Sequence, residues 1–301
     1  MADIAVLNGR LMPLSKATVS VEDRGYTFGD GVYEVVRVYR GAPFLLREHL
    51  DRFARSAEAI GLPLTPGPAR WEAWVKRAVK ASRYDEAKIY FSFTRGVAPR
   101  EHAFPAAPRP TRLITVRPVK PSAPPSHDPH RGVRVVTMPD LRWGRCDIKS
   151  LNLLPNILAK QQAKQQGAFE AIFIRPGVGI TEGASSNLFL VLRDGTVRTP
   201  PAGPTILTGI TREAVIATAR REGIAVVEAP IDLDTVNGAA ELFLTGTLTE
   251  IAPVVQWDGR VVGDGRPGPV TRRLMQSFQA WIEAQLSGAS SGRPTGGRVR
   301  R

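Results

Sequence analysis

The chain has 301 residues, of which 43% are hydrophobic, and a formal net charge of +13 at pH 7. This length and apolar content are sufficient for one large domain or two modest ones with real cores. No stretch approaches the roughly 18 apolar residues that cross a bilayer, and no basic segment precedes an apolar stretch at the N-terminus. We therefore expect a cytoplasmic protein that does not bind membranes.

The residue types that bind metals and nucleic acids are sparse or unpatterned. Cys146 is the one cysteine, which excludes an internal disulfide and a cysteine zinc cluster, and the four histidines show no ligand spacing, so no metal is expected. Part of the positive charge lies in the Gly/Ser/Pro/Arg-rich tail at residues 287–301, which we predict to be disordered. The other basic residues form no stripe, so we expect no nucleic-acid partner; a positive body also suits a phosphate cofactor and carboxylate substrates.

Residues 1–120 are predicted to form a smaller α/β domain. Asn8-Gly9, between apolar segments at residues 4–7 and 10–13, is typical of a tight β-hairpin. The same patterns predict further strands at residues 33–39, 42–46, 87–94 and 113–119, and helices at residues 47–60 and 71–82.

A second, larger domain is predicted at residues 133–286, after a proline-rich linker at residues 118–132. Its predicted strands lie at residues 133–138, 171–174, 188–192, 225–228 and 242–245, and its helices at residues 151–166, 211–222 and 270–286. Strands outnumber helices and the hairpins favour mixed or antiparallel pairing. The predicted fold class is therefore a two-domain mixture of α+β and α/β rather than a doubly wound sheet.

Lys149 and Glu182 are the most informative charged residues. Lys149 is predicted to lie where a loop enters the helix at residues 151–166, and the helix dipole there lowers the cost of losing its proton. A partly neutral amine can condense with an aldehyde, as in pyridoxal phosphate enzymes. Glu182 adjoins Gly183 and small hydroxyl residues, so a flat ring could approach it and have its pyridine nitrogen kept protonated. The alternatives are a solvated lysine and an ordinary turn.

Three places could bind a phosphate. Thr208 or Thr211 could cap the helix at residues 211–222, where Gly209 lets the backbone approach an anion. The turn at residues 245–249 has the same small-residue character. Arg52 lies on a predicted helix away from its apolar stripe. The alternatives are an ordinary capped helix and a solvated arginine.

The segment at residues 94–102 follows a predicted strand and carries Arg95, Arg100 and His102 among glycine and proline. A planar guanidinium can bind both oxygens of a carboxylate, and an imidazole beside it adds a further donor. The segment is therefore either a carboxylate-binding loop or a basic surface loop.

Six motifs occur along the chain in one order. They are EDRGYTFGDGVYEVV at residues 22–36, TRG at 94–96, RCDIKSLN at 145–152, TEGASSN at 181–187, LTGITR at 207–212 and ELFLT at 241–245 with the turn after it. Together they resemble the fold type IV pyridoxal phosphate-dependent aminotransferases, and within them the D-amino-acid aminotransferases. The resemblance extends from about residue 3 to residue 280.

The resemblance implies pyridoxal 5'-phosphate as cofactor and Lys149 as the catalytic Schiff-base lysine. Glu182 would be the partner of the pyridine nitrogen. The other implied cofactor-binding residues are Arg52, Ser185, Ser186, Leu207, Gly209, Ile210, Thr211, Gly246 and Thr247. Family members often have a serine where Ala184 stands and a hydroxyl residue where Gly246 stands, so at Gly246 only a backbone amide is expected to serve.

The resemblance also implies how substrates bind. Tyr33, Arg100 and His102 match the family's site for the substrate α-carboxylate. Arg100 and His102 would reach into the site of the neighbouring subunit, so a homodimer with shared sites is expected. The position of this carboxylate site decides whether a D- or an L-amino acid presents its hydrogen to the base.

The expected function is transfer of the amino group of a D-amino acid, such as D-alanine, to a 2-oxo acid, such as 2-oxoglutarate. The alternatives with the same cofactor are a branched-chain L-amino-acid aminotransferase, an (R)-selective amine transaminase and an aminodeoxychorismate lyase. A non-catalytic anion or nucleic-acid binder is the alternative from another class.

Overall fold

The fold is known from a computed structural model that describes residues 2–119, 128 and 130–287. Most of the predicted linker at residues 118–132 and all but the first residue of the predicted tail at residues 287–301 lie outside the described residues. The chain divides into two compact units, Met1–Pro121 with Asp147–Leu153, and Ser122–Cys146 with Leu154–Arg301. We call them unit 1 and unit 2.

Unit 1 contains an antiparallel sheet of six strands in the order β2-β1-β6-β5-β3-β4. Its elements are β1 (Ile4–Leu7), β2 (Arg10–Pro13), a 3-10 turn (Leu14–Lys16), α1 (Arg24–Phe28), β3 (Gly31–Tyr39), β4 (Ala42–Pro43), α2 (Leu46–Ala59), α3 (Pro68–Ser82), β5 (Ala87–Thr94) and β6 (Thr111–Pro118). The predicted hairpin at Asn8-Gly9 is confirmed, and both turn residues have positive φ, at 49° and 83°. The strand predicted at residues 42–46 is shorter, because α2 begins at Leu46.

The core of unit 1 follows from strand alternation. Val32, Val36 and Val38 on one face of β3 pack into a buried cluster with apolar residues of the helices, including Phe53 and Trp71. The polar residue with the same parity in this strand is Glu34, which is also buried. The sequence pattern therefore brings a carboxylate into the core.

Residues 147–153 complete unit 1 although they lie far along the chain. Ile148 joins the core of this unit. The amide of Tyr33 donates to the carbonyl of Lys149 at 3.0 Å, and the amide of Leu151 donates to the carbonyl of Gly31 at 3.0 Å. This segment therefore pairs with the first residues of β3, whereas sequence analysis had assigned it to the larger domain.

Unit 2 contains a mixed sheet in the order β12-β11-β10-β13-β14-β7-β8-β9, with β15 paired to β14. Its elements are β7 (Val133–Pro139), α4 (Leu154–Gln165), β8 (Glu170–Arg175), β9 (Gly179–Gly183), β10 (Asn187–Val191), β11 (Val197–Thr199), α5 (Ile210–Arg221), β12 (Val226–Glu228), α6 (Leu233–Gly238), β13 (Glu241–Gly246), β14 (Glu250–Trp257), β15 (Arg260–Val261) and α7 (Pro269–Leu286). The predicted mixture of parallel and antiparallel pairing is confirmed, since β7 pairs parallel with β8 and β14 while most other pairs are antiparallel.

Several strands of unit 2 were not predicted. Glu182 lies in β9, so the interpretation of its segment as an ordinary turn is wrong. β14 was also missed, although all but two of its eight residues are buried. Among the described residues, no helix is long and apolar enough to cross a bilayer.

Candidate active site

Lys149 is carried by the segment that pairs with β3. Its amide donates to Ser56 Oγ of α2 at 3.2 Å, so the backbone is held from both sides. Its side-chain Nζ lies 4.4 Å from the centre of the Tyr33 ring. Tyr33 in turn stacks on Tyr90 of β5, with ring centres 5.7 Å apart. A half-buried amine is thereby presented on an aromatic surface of unit 1.

The electrostatic argument from the sequence for Lys149 is wrong. α4 begins at Leu154, five residues after the lysine, so Lys149 is not in the first turn of a helix. The dipole field falls off within that first turn. Burial lowers the pKa of the neighbouring His49, and the charge of Lys149 adds to this lowering.

Arg52 is a buried member of an ionic cluster and not the solvated arginine that its helical position allowed. Its Nε donates to Glu34 Oε1 at 2.6 Å and its Nη2 to Glu34 Oε2 at 2.9 Å. His49 Nδ1 lies 2.8 Å from Glu34 Oε2. We call these three residues the Glu34 cluster. Burial alone would raise the pKa of Glu34, but the charge of Arg52 and the hydrogen bonds hold it well below its ordinary value.

The three residues expected to bind a substrate carboxylate fall in two places within unit 1. Tyr33 lies with Lys149 and Tyr90, as described above. Arg100 and His102 lie on the exposed loop at residues 97–110, where both contact Phe28. The contacts described for this chain therefore do not bring the loop residues to Tyr33, and their assignment to a shared site stays a prediction.

Glu182 is the centre of the polar network of unit 2. Its carboxylate accepts from Asn187 Nδ2 at 3.0 Å and from the amide of Leu207 at 3.0 and 3.1 Å. The Arg142 guanidinium also donates to it. These donors favour the ionised carboxylate. Glu182 and Leu207, two of the predicted residues, are thus brought into direct contact.

Arg142 is a buried partner of Glu182 that sequence analysis missed. It forms hydrogen bonds of 2.9 Å with both oxygens of Asp140 while it also holds Glu182. Burial alone would lower its pKa, but the two carboxylates raise it above the ordinary value. The arginine therefore stays charged and keeps Glu182 paired. Its contact with Glu182 joins residues 40 positions apart, which the local sequence does not reveal.

Ser185 and Ser186 are also brought together. Both hydroxyls donate to Glu170 Oε2, at 2.6 and 3.2 Å. Lys160 Nζ lies 3.0 Å from the other oxygen, Glu170 Oε1. The first residue of β8 therefore fixes the orientation of both serines.

At the N-terminus of α5, a neighbouring side chain packs closely against the backbone. Its N-cap residue is Gly209, so the N-cap position predicted for Thr208 or Thr211 is occupied by neither of them. A Cβ at Gly209 would lie 2.1 Å from Asn187 Oδ1, so only glycine fits beside this amide. Ile210 and Thr211 begin the helix, and their amides belong to the first turn, which has no intrahelical partner.

Gly246 and Thr247 lie at the end of the sheet where β10 starts. Asn187 of β10 pairs with Thr245 of β13 in an antiparallel register, so β13 ends near Ser185 and Ser186, which directly precede β10. A Cβ built on Gly246 would be 3.5 Å from the Ser185 carbonyl oxygen, an ordinary contact distance. The buried hydroxyl of Thr245, just before Gly246, makes no hydrogen bond with the described residues.

One sequence signal could have revealed the Glu34 cluster. Glu34 shares its strand face with Val32 and Val36, and a carboxylate on an apolar face needs a cationic partner. His49 and Arg52 are spaced three apart on α2, so their side chains share one face of that helix. As for metals, the residues that the structure describes contain no group of three side chains that could hold an ion.

Comparison with known proteins places the chain in one family. A sequence model described as amino-transferase class IV matches residues 31–257. The D-alanine aminotransferase of Bacillus licheniformis is 41% identical over 282 residues, which are 94% of this chain and 98% of that protein.

Solved structures have the same fold. The branched-chain amino acid aminotransferase of Escherichia coli has a TM-score of 0.86 and 29% identity, covering 93% of this chain and 94% of that one. The branched-chain amino acid aminotransferase of T.th., solved with pyridoxamine 5'-phosphate, has a TM-score of 0.85 and 28% identity, covering 94% of each chain. The match to the family model covers most of the chain and includes the segments that carry Lys149, Glu182 and the N-terminus of α5. The chain therefore belongs to the class IV aminotransferases of fold type IV.

Proposed function

We propose that this chain is a D-amino-acid aminotransferase that uses pyridoxal 5'-phosphate. The observation that carries the proposal is its likeness to D-alanine aminotransferase over nearly the whole of both proteins. The branched-chain enzymes, which share its fold, are less similar in sequence at 28–29% identity. They define the second candidate function, transfer from a branched-chain L-amino acid.

The residues of both units fit such a cofactor. Unit 1 offers a primary amine at Lys149 beside an aromatic ring, which suits condensation with an aldehyde. Unit 2 offers a carboxylate at Glu182, which its donors favour in the ionised form, and a helix start at Gly209 whose first amides lack intrahelical partners. These groups suit a ring nitrogen and a phosphate. A Cβ at Gly209 would overlap Asn187 Oδ1, so glycine there lets the residue that donates to Glu182 pack against the start of this helix.

We infer the following roles. Arg52, the amides of Ile210 and Thr211, Thr247 and the backbone at Gly209 and Gly246 would hold the phosphate. Leu207, Ser185 and Ser186 would adjoin the ring. When bound, the cofactor supplies an aldehyde for the amino group and a ring that withdraws electrons from the α-carbon.

The protein's own groups then carry the proton transfers. Lys149 removes the proton from the substrate α-carbon as a general base and later returns a proton as a general acid. Glu182 holds a proton on the ring nitrogen, and Arg142 keeps Glu182 ionised for this purpose. Tyr33, Arg100 and His102 bind the substrate carboxylate and so select the hydrogen that faces Lys149.

We further propose a homodimer in which Arg100 and His102 serve the site of the partner subunit. Their loop is exposed, and unit 1 also exposes large apolar side chains at Val21, Tyr26 and Phe104. Exposed apolar side chains of this kind are common at subunit interfaces.

The test is an amino-transfer assay that offers D-alanine, L-alanine, L-valine and (R)-1-phenylethylamine with 2-oxoglutarate or pyruvate. We expect turnover with D-alanine and little with the others. Turnover of L-valine without D-alanine would establish the branched-chain function instead. Borohydride reduction of the loaded enzyme is expected to leave a pyridoxyl group on Lys149, and Lys149→Ala to lose both label and steady turnover. A label on another lysine would contradict the assignment of Lys149.

A further inference from the structure

The motif at residues 22–36 contributes Tyr33 and Glu34, but its first half has no role in the proposed chemistry. This half contains α1, with Asp23 as N-cap and Gly29 as C-cap in the left-handed conformation. Arg24, its first helical residue, is only 3% exposed. A buried arginine in a five-residue helix requires partners, and three of the partners of Arg24 lie on the loop at residues 97–110.

Arg24 binds backbone carbonyls of that loop. Its Nη1 donates to the carbonyl of Glu101 at 2.5 Å and to that of Ala103 at 3.3 Å, and its Nη2 donates to the carbonyl of His102 at 3.3 Å. One guanidinium thereby fixes three consecutive carbonyls. The loop residues expected to bind substrate, Arg100 and His102, lie immediately before and within this triplet.

Phe28, at the other end of α1, contacts the side chains of Arg100 and His102. Its ring lies 5.5 Å from the His102 ring and 5.1 Å from the Arg100 guanidinium. The Arg24 guanidinium lies 4.7 Å from the same ring. These distances are typical of aromatic and cation–π contacts. Backbone and side chains of the loop are thus held by the same short helix.

The helix itself is fixed to the sheet. Asp23 accepts from the amide of Gly25 at 2.8 Å, from Thr94 Oγ1 at 2.8 Å and from Thr111 Oγ1 at 2.5 Å. Asp30 Oδ2 accepts from Arg24 Nε at 2.7 Å and from Arg95 Nε at 2.9 Å. The position of α1 is therefore set by the ends of β5 and β6.

We propose that Arg24 and Phe28 are positioning residues that set the conformation of the loop at residues 97–110 and thereby the affinity of Arg100 and His102 for the substrate carboxylate. The proposal rests on the proposed function, since that function makes these two side chains carboxylate ligands. Holding binding groups in their bound arrangement raises affinity, because less ordering is then required on binding. The contacts that fix the loop therefore matter for the KM of the substrate.

The test compares Arg24→Gln with Arg37→Gln, a matched control. Arg37 is buried in the same unit, donates to the carbonyls of Val38 and Ala87, pairs with Glu86 and lies 4.6 Å from the Tyr39 ring. It has the same kinds of partner as Arg24, but none of these partners belongs to the loop. Arg100→Ala gives the reference for a lost carboxylate ligand.

The holoenzymes are compared by KM and kcat for D-alanine, by cofactor absorption and by amide hydrogen exchange of residues 97–110. We expect Arg24→Gln to raise KM about tenfold or more with a much smaller change in kcat, because carboxylate binding is weakened about equally in the ground state and the transition state. The cofactor absorption should not change, and exchange in the loop should rise. Arg37→Gln should leave KM and loop exchange as in the wild type.

Equal KM and exchange in the two glutamine variants would overturn the proposal, because the effect would then be one of general stability. If Arg24→Gln does not fold, Phe28→Leu takes its place, with an expected rise in KM of about two- to fivefold. A wild-type KM in Phe28→Leu would likewise overturn the role of Phe28. If the wild type does not act on D-alanine, the proposed function fails, and loop exchange alone decides whether Arg24 holds the loop.

Discussion

Each unit buries a glutamate against an arginine, but the two pairs have different surroundings. In unit 1, Glu34 is fully buried and pairs with Arg52 and His49 of one helix. In unit 2, Arg142 is shared between Glu182 and Asp140, and Glu182 also accepts from the amide of Leu207. We infer that in unit 1 the carboxylate of Glu34 orients the arginine, whereas in unit 2 the arginine orients the carboxylate of Glu182.

The difference shows how the same kind of ion pair can fix either the cation or the anion. In the proposed function, the Glu34 cluster orients the guanidinium of Arg52 for a phosphate. In the same proposal, the network around Glu182 orients its carboxylate for a ring nitrogen. Which partner acts is decided by the neighbouring donors and acceptors. The two pairs should therefore respond differently to substitution, one in cofactor affinity and the other in the rate of chemistry.

The largest effect is expected for Glu182→Gln. An amide cannot hold a proton on the ring nitrogen, so we expect kcat to fall about a hundredfold or more while cofactor affinity changes little. Glu241→Gln is the control, since Glu241 is buried in the same unit and accepts from the amides of Val270 and Thr271 at the start of α7. An unchanged kcat in Glu182→Gln, measured at saturating cofactor, would remove Glu182 from the chemistry.

A smaller effect of the other kind is expected for Arg52→Lys. Lysine keeps the charge but cannot bind both oxygens of Glu34 and reach a phosphate at once, so we expect the Kd for pyridoxal phosphate to rise about tenfold. The kcat at saturating cofactor should stay close to that of the wild type. Equilibrium dialysis of the cofactor measures the change, and Arg55→Lys on the exposed side of α2 is the control. A fall in kcat with unchanged Kd would reverse the comparison between the two pairs.

The smallest expected effect is on how the free energy of unfolding depends on pH. Burial lowers the pKa of His49 from its ordinary value of 6.5, and the charges of Arg52 and Lys149 lower it further, against the opposing effect of Glu34. The unfolded state then binds more protons, so stability falls as pH decreases below about 6.5, by at most about 1.4 kcal/mol per pH unit. Urea unfolding between pH 5.5 and 7.5 measures the slope. His49→Gln should flatten the slope and His130→Gln should not. Equal slopes in the wild type and both variants would contradict the prediction.

Sequence patterns predicted the local structure well where the signal was local. The hairpin at residues 4–13 and the strand Ala87–Thr94 follow from a turn dipeptide and from alternation, and both are confirmed. The start of α4 was placed three residues early, because nothing in residues 151–153 separates the end of an extended segment from the start of a helix. β9 was missed since its residues include two glycines, which are uncommon in strands.

The site was predictable only as far as each residue carries its own chemistry. The contacts among Glu182, Asn187 and Leu207 bring two of the predicted residues together in unit 2, while their roles stay a prediction. Arg142 and Glu170 were missed, because their importance comes from partners that are distant in sequence. A residue that acts through another residue leaves no pattern of its own. Their discovery required the three-dimensional structure.

The position of Ile148 and Lys149 in unit 1 has a consequence for biosynthesis. When the ribosome has added the last residue of β6, every strand of the six-stranded sheet has been translated, but Ile148 and the backbone that pairs with β3 have not. The nascent chain must also deliver β7, a strand of the other sheet, before this unit is complete. A gene fragment that stops after β6 therefore encodes a sheet without part of its core and without Lys149.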